Sequence, residues 1–364
     1  MSELKVNSIK GVAASTAAIT VNNTDGTCTA NITNNLSNRR LTINGAMTIA
    51  QRGTSSTTNG YGTVDRWQVA YGDTDEAITQ SQVDVASGTT PYSLGFRKAL
   101  RATNGNQTSG AGAGDFVFMI QKIEAQDIAT SGWNYTDSNS FVTFSFWVKS
   151  SVAQNFYGYI RSGDGTQQNY AIETGTLTAN TWTKITKVIS GNSNLQIDND
   201  NGTGLLLFLS PFTGTTYTDS GVTLNQWAAY ATGTRMPDFA STWYTTNDAT
   251  FEITGVQLEV GSVATDFEHR LFGQELALCE RYFEICRGGI TTTGVNSGYI
   301  GNNVTFSVKK RTTPTITRIS DYQIGNVNTP YSDLVDINGF TSVAQHDGSG
   351  NMKFSTKYSA DAEL

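Results

Sequence analysis

Alternation with a period of two recurs along this chain, and it limits the fold more than any other feature. Val142, Phe144, Phe146 and Val148 occupy one side of a stretch whose other side carries Phe141, Thr143, Ser145 and Trp147. Val256, Leu258 and Val260 alternate in the same way with Gln257, Glu259 and Gly261. Successive side chains of a β-strand point to opposite faces, so each stretch reads as a strand with one face in a core. Further strands are expected over Asp115–Ile123, Gln154–Arg161, Thr181–Ile189, Gly204–Ser210 and Thr250–Val260. Turn signals such as Ser162-Gly163-Asp164-Gly165 and Gly191-Asn192-Ser193 fall between them. Only 15% of residues are charged, whereas a helical chain of this size carries far more Glu, Lys and Leu. The expectation is an all-β protein in which residues 37–270 form one large jelly-roll β-sandwich, the natural closure for that many antiparallel strands. With 38% hydrophobic residues the chain has enough apolar surface to fold.

Three other segments flank or follow the sandwich. Residues 1–36 are sparse: Leu4 and Val6, Ile19 and Val21, then Cys28, Ala30 and Ile32 alternate with polar residues. An extended β segment so thin is stable when copies wrap together or when it adds to a partner's sheet edge. From Gly273 the period becomes helical. Leu276, Cys279, Phe283 and Cys286 then fall on one face, with Glu280, Arg281 and Glu284 mostly off it. This predicts one short amphipathic helix over 271–287, marginal alone and therefore docked on the chain or on copies of it. Residues 288–364 read as a small β-domain, with Val304, Phe306 and Val308 alternating and with hairpin signals at Asn338-Gly339 and Asp347-Gly348.

Charge and composition exclude several functions. A net charge of −7 leaves no basic footprint for nucleic acid; Lys309-Lys310-Arg311 is expected to be a solvated strand end. The longest apolar run, Leu205–Leu209, is a buried strand and far short of a membrane helix, so no membrane insertion is expected. The opening MSELKVNSIK lacks the apolar core of a secretory signal, which points to synthesis and folding in cytoplasm. Cys28, Cys279 and Cys286 show no metal-type spacing. On one helix Cys279 and Cys286 lie about 10 Å apart along the axis, too far for a disulfide, and both read as packing residues.

Catalytic groups are scarce. His269 reads as a corner residue, and His346 is expected in an exposed turn. Glu124, Asp127, Glu173, Glu252 and Glu259 supply carboxylates of the kind a glycosidase needs, but no motif groups them, and an enzyme is not expected. Asp198-Asn199-Asp200-Asn201-Gly202 resembles half a calcium loop, yet Leu209 stands where the bidentate Glu belongs, so no metal or cofactor is expected. Sugar binding remains, through aromatic rings that stack on pyranose faces and polar groups that read hydroxyls. Tyr157, Tyr159 and Arg161 share one strand face, and Trp243 and Tyr244 offer a loop near Met236-Pro237. These five are the candidate carbohydrate-binding residues.

Three segments carry a family resemblance. Gly255–Phe283, GVQLEVGSVATDFEHRLFGQELALCERYF, is similar to a strand and helix common in tail fibre and receptor-binding proteins of tailed bacteriophages. Leu41–Trp67, LTINGAMTIAQRGTSSTTNGYGTVDRW, resembles the opening of their sandwich, and Phe354–Leu364, FSTKYSADAEL, their usual chain end. The resemblance implies a carbohydrate-binding-module-like jelly roll in a non-enzymatic, homotrimeric virion protein that attaches to host-cell surface glycan. Residues 1–36 would join other tail proteins, and Leu276, Cys279, Phe283 and Cys286 would pack near the trimer axis. The alternatives are a capsid or tail decoration protein without a receptor site, or a polysaccharide depolymerase.

Overall fold

The computed structural model describes residues 6–10, 12, 18–21, 24, 39–292, 298–348 and 350–364, and the backbone of 28–30. Leu4, Ile32 and the Cys28 side chain lie outside the described residues. Near the start, β1 (Ser8–Ile9), β2 (Ile19–Val21) and β3 (Cys28–Ala30) form a small antiparallel sheet.

The body is an all-β sandwich of two antiparallel sheets. Its strands are β4 (Ser55–Ser56), β5 (Gln68–Gly72), β6 (Thr79–Asp84), β7 (Lys98–Thr103), β8 (Phe116–Glu124), β9 (Phe141–Ser150), β10 (Asn155–Ser162), β11 (Gln168–Thr176), β12 (Thr183–Ser190), β13 (Thr203–Thr213), β14 (Trp227–Ala229) and β15 (Thr250–Val260). One sheet runs β14-β11-β10-β13-β8-β5 and the other β12-β9-β15-β7-β6-β4, a jelly-roll-type sandwich whose sequence neighbours repeatedly lie in opposite sheets. Short helices α1 (Thr90–Ser93), α2 (Ala125–Ala129) and α3 (Thr242–Thr245) sit in the connections. The alternation expected for β9 is observed: Val142, Phe144, Phe146 and Val148 are all buried and meet Leu205, Leu207 and Leu209 of β13 across the core. Each such side chain contributes about 1.5–3 kcal/mol by leaving water.

In β15 the inward face changes parity. Phe251 and Ile253 point inward, then Val256 and Leu258 do, because a bulge interrupts the pairing with β9 between Thr254 and Gln257. Gly255 sits in it with φ +61°, a conformation side chains with a Cβ resist. The amide the bulge frees is not left empty, since Val256 N donates to Gly45 O at 2.9 Å. Thr42 Oγ1 also donates to Val256 O at 2.8 Å. The opening segment of the sandwich therefore plugs the bulge of its closing strand, which ties two of the three resemblance segments together physically.

Helix α4 (Phe272–Glu280) is shorter than the expected 271–287, and the chain re-enters a strand at once. This strand, β16 (Phe283–Thr292), pairs with β21 (Met352–Asp361), which pairs with β18 (Thr315–Gly325). A facing sheet holds β17 (Tyr299–Thr305), β20 (Gly339–Gln345) and β19 (Tyr331–Asp333). The C-terminal β-domain thus begins at Phe283 rather than 288. Residues Cys279, Phe283 and Cys286 are buried within the single chain at 0%, 5% and 7% exposure, and Leu276 is half-buried. They form no common stripe. In a strand a separation of three places Phe283 and Cys286 on opposite faces. Phe283 meets the Arg52 guanidinium at 3.5 Å on the sandwich side, whereas Cys286 packs with Tyr358 and Phe340 inside the C-terminal domain.

Three further expectations change. Lys310 is buried, its Nζ bonded to Glu284 at 2.5 Å, so the basic run is no solvated strand end. His346 is buried too, accepting from Gly348 N at 3.1 Å. Asn338-Gly339 closes the β19–β20 connection as a hairpin loop, but Asp347-Gly348 joins strands of different sheets. No helix among the described residues is long and apolar enough to cross a membrane.

Candidate functional site

Strand β10 presents Tyr157, Tyr159 and Arg161 on its outer face, as the period predicts, while Phe156 and Ile160 enter the core. Register extends this face across the sheet. Arg161 stands opposite Asn169 of β11 and Leu206 of β13; Tyr159 stands opposite Ala171 and Phe208. The face is not an open aromatic platform. Parts of the segment 214–240 outside β14, with Tyr217, Met236 and Phe239, lie over it, and Tyr159 is 1% exposed beneath Met236. Tyr159 stacks on Phe208 with ring centroids 4.2 Å apart, and Tyr157 meets Phe239 edge-on at 5.0 Å. Burial raises the Tyr159 hydroxyl pKa above its ordinary value, against the opposing pull of Arg235 and Arg161.

The second predicted pair is misplaced. Trp243 and Tyr244 are 0% and 1% exposed on α3, where Tyr244 stacks on Phe212 at 4.4 Å inside the main core. An aromatic pair near a Pro reads as a loop in sequence, but here it plugs one end of the sandwich. Of the five candidates, then, the structure brings Tyr157, Tyr159 and Arg161 together and separates Trp243 and Tyr244 from them.

Beside Tyr159 the overlying segment leaves a cavity of about 310 Å³. Its floor is Asn169, Ala171 and Ala228, and its rim includes Asp219, Gly221, Val222, Thr223, Gln226 and Thr234. Small alanines at register positions facing Tyr159 and Asn169 make the room. The rim is fixed by backbone bonds: Asn225 N to Ala171 O at 2.8 Å, Asp219 N to Met236 O at 3.1 Å, and Gly221 N to the Asp219 carboxylate at 2.7 Å.

Asn169 is 4% exposed, and its Nδ2 donates to Arg235 O at 2.8 Å. Its Oδ1 is buried with no hydrogen-bond partner, and the same holds for Nε of Arg161 and of Arg235 nearby. A buried polar atom without a partner costs about 1–3 kcal/mol, so such atoms mark places where a ligand or water completes the bonding. The Arg161 guanidinium lies 4.7 Å from the Tyr230 ring and that of Arg235 lies 4.5 Å from Tyr217. The orphan amide oxygen needs a donor and the nearby orphan guanidinium N–H groups need an acceptor, which suits hydroxyl groups, since a hydroxyl both donates and accepts. Periodicity marks none of the rim residues, because they belong to an irregular segment that only tertiary folding lays over β11.

Four of the five carboxylates considered for glycoside cleavage are engaged in bonds within the fold. Glu124 takes both arms of Arg281 at 2.7 and 2.8 Å; Glu252 pairs with Arg101 and Lys149; Glu259 accepts from Thr265 N at 2.8 Å. Glu173 accepts from Asn155 at 2.8 Å. The Asp127 carboxyl, where burial and then Glu124 act on it, sits above its usual range. Asp198 N bonds to Asp164 and Gly202 N to Asp200, so the calcium-like run is a stapled turn, and no His, Cys, Asp and Glu cluster among the described residues is placed to hold a metal. His269 is an exposed corner residue bonded to Leu94 O at 2.9 Å.

No family model matches the chain, and no curated protein matches it. Solved structures similar to it include a proposed sugar-binding protein from Bacteroides thetaiotaomicron, at 11% identity and TM-score 0.32, covering 61% of this chain and 99% of that one. The N-terminal cellulose-binding domain of a Cellulomonas fimi β-1,4-glucanase has 9% identity and TM-score 0.28, covering 60% and 99%. A family 11 carbohydrate-binding module from Clostridium thermocellum has 12% identity and TM-score 0.26, covering 58% and 98%. Scores this low carry no argument. The two six-stranded sheets themselves establish the all-β sandwich.

Proposed function

We propose that this chain is a glycan-binding protein, and specifically a bacteriophage tail fibre that attaches the virion to its host cell without cleaving the glycan. The observation that carries the reading is the buried, unpartnered Oδ1 of Asn169 in a cavity rimmed by hydroxyl, amide and carboxylate groups. That lining asks for several hydroxyl donors on a compact neutral ligand, which a pyranose supplies. The tail-fibre assignment draws on the three sequence segments that resemble that family, two of which meet at the β15 bulge.

In this reading residues 1–36 anchor the fibre to other tail proteins, and three copies associate. The apolar pair Leu271 and Phe272, 75% and 64% exposed where the sandwich meets α4, supports self-association and replaces the buried Cys279, Phe283 and Cys286 in that role. Attachment is multivalent: weak single-site contacts become strong when many fibres act from one particle.

The test is binding of the purified protein to host surface glycans, measured by calorimetry, for wild type and Asn169→Ala. Binding weakened about fivefold or more by the substitution is expected, the loss of one or more hydrogen bonds. Binding absent in wild type removes the reading and favours a decoration protein. Release of new reducing ends from the same glycan points instead to a depolymerase.

A further inference from the structure

The geometry points to a second, separate sugar site on the opposite sheet, which takes a single neutral pyranose ring. It rests on the glycan-binding reading for its ligand class alone; its residues are different. On the outer face of β9, Trp147 is half-buried, with Lys184 of β12 and Thr254 of β15 as its cross-strand neighbours. The corner after β15 folds back beside it and leaves a cavity of about 170 Å³ lined by Trp147, Phe96, Phe267, His269, Lys184 and Asp266.

Three features make it a built site. The rings are held: Phe96 and Phe267 meet edge to face at 4.9 Å, Phe267 and His269 at 4.9 Å, and His269 is pinned by its bond to Leu94 O. The space is kept open by Gly255, where a Cβ would come within 2.6 Å of Phe96 and 3.1 Å of Trp147. The charged side-chain groups are unspent: the exposed Lys184 ammonium and Asp266 carboxylate have no hydrogen-bond or ion-pair partner among the described residues, although the Asp266 carbonyl accepts from Thr265 and Gln257.

The lining defines the ligand. Ring walls suit a flat apolar face, as the C–H face of a pyranose provides. One free cation and one free carboxylate at the mouth supply a donor and an acceptor whose charges cancel, which suits hydroxyls rather than an ionic group. The volume is below the ~300–1,000 Å³ of pockets for drug-sized ligands, which limits the occupant to one ring, such as a branch or chain end.

The experiment follows the indole N–H signals of the protein's six tryptophans by NMR during titration with methyl pyranosides of the gluco, galacto, manno and N-acetylglucosamine series. Trp147→Phe assigns the Trp147 signal. We expect it to shift with at least one pyranoside, Lys184→Ala and Asp266→Ala each to weaken the apparent affinity about fivefold, and Asn169→Ala to leave the shift intact. Both substituted side chains are exposed, and melting curves check that the fold is kept. A Trp147 signal that never moves, or moves identically in both variants, overturns the second site. Glycan binding that persists and depends on Asn169 would then leave the first site standing; loss of all binding in wild type would remove both.

Discussion

Single residues govern this sandwich where two backbones come closest. A Cβ at Gly45 would lie 2.0 Å from Val256 O, inside the hydrogen-bonded plug of the β15 bulge. Gly45→Ala is expected to destabilise the protein by about 1–3 kcal/mol, the usual cost of overpacking, as a lowered urea midpoint. Asp65 offers a pH signature. Its side chain is fully buried, and burial, partly offset by Arg52 and by bonds from Gln51, raises its carboxyl to about 6. The folded form therefore holds a proton more tightly than the unfolded chain, where the value is near 3.8. Stability from this group is present in full below pH 4 and falls as pH rises through 6, by up to about 3 kcal/mol. In Asp65→Asn that component should vanish, so wild type should gain stability relative to the variant on going from pH 7 to pH 4. An unchanged difference between the two curves would mean that Asp65 is ionised throughout.

At the scale of elements, α4 shows how one spacing serves two structures. Leu276 and Cys279 follow the helical period, and Phe283 and Cys286 continue it numerically, but the helix ends at Glu280 and β16 begins three residues later. The helical spacing does not reveal where the helix stops, because a strand with both faces covered buries Phe283 and Cys286 just as well, one on each face. On the proposed trimer reading, the exposed apolar side chains that α4 offers to another copy are Leu271 and Phe272 at its start, not its buried side. Replacing both by Ser is expected to shift sedimentation toward the monomer while leaving the melting temperature within about 2 °C, since exposed side chains contribute little to folding. Unchanged sedimentation would remove this pair from any contact between copies, and a monomeric wild type would remove the trimer reading itself.

Across the whole molecule, the C-terminal residues clasp the two β-regions. Glu363 bonds to buried Arg66 and reaches Arg52 at 3.3 Å. Lys122 Nζ donates to Leu364 O at 2.5 Å, and Arg311 donates to Asn201 O at 2.7 Å and to Glu363 O at 3.1 Å. Arg66 also lies 3.4 Å from the Tyr282 ring and donates to Lys122 O at 2.6 Å. Glu363→Ala strips the carboxylate from a guanidinium that is 1% exposed, and should cost about 3–5 kcal/mol in denaturant unfolding. It should also speed proteolysis near residue 281. A loss under 1 kcal/mol would mean that Tyr282 and the Lys122 carbonyl suffice to hold Arg66.

The amino-acid sequence determined the strands, because their signals are local: Val142 to Val148 and Val256 to Leu258 show a period of two without any partner, and Leu205 to Leu209 marks a strand buried on both faces by its unbroken apolar run. It also gave Tyr157, Tyr159 and Arg161 a common face. What lies over a face is not local. Segment 214–240 covers Tyr159 and builds the cavity at Asn169, and α3 sinks Trp243 and Tyr244 into the core, through chain folding that no neighbouring residue encodes. The parity switch at Gly255, the burial of Lys310 against Glu284 and the clasp at Glu363 likewise belong to tertiary structure. In each, the deciding group sits far along the chain from its partner or depends on the pairing of another strand.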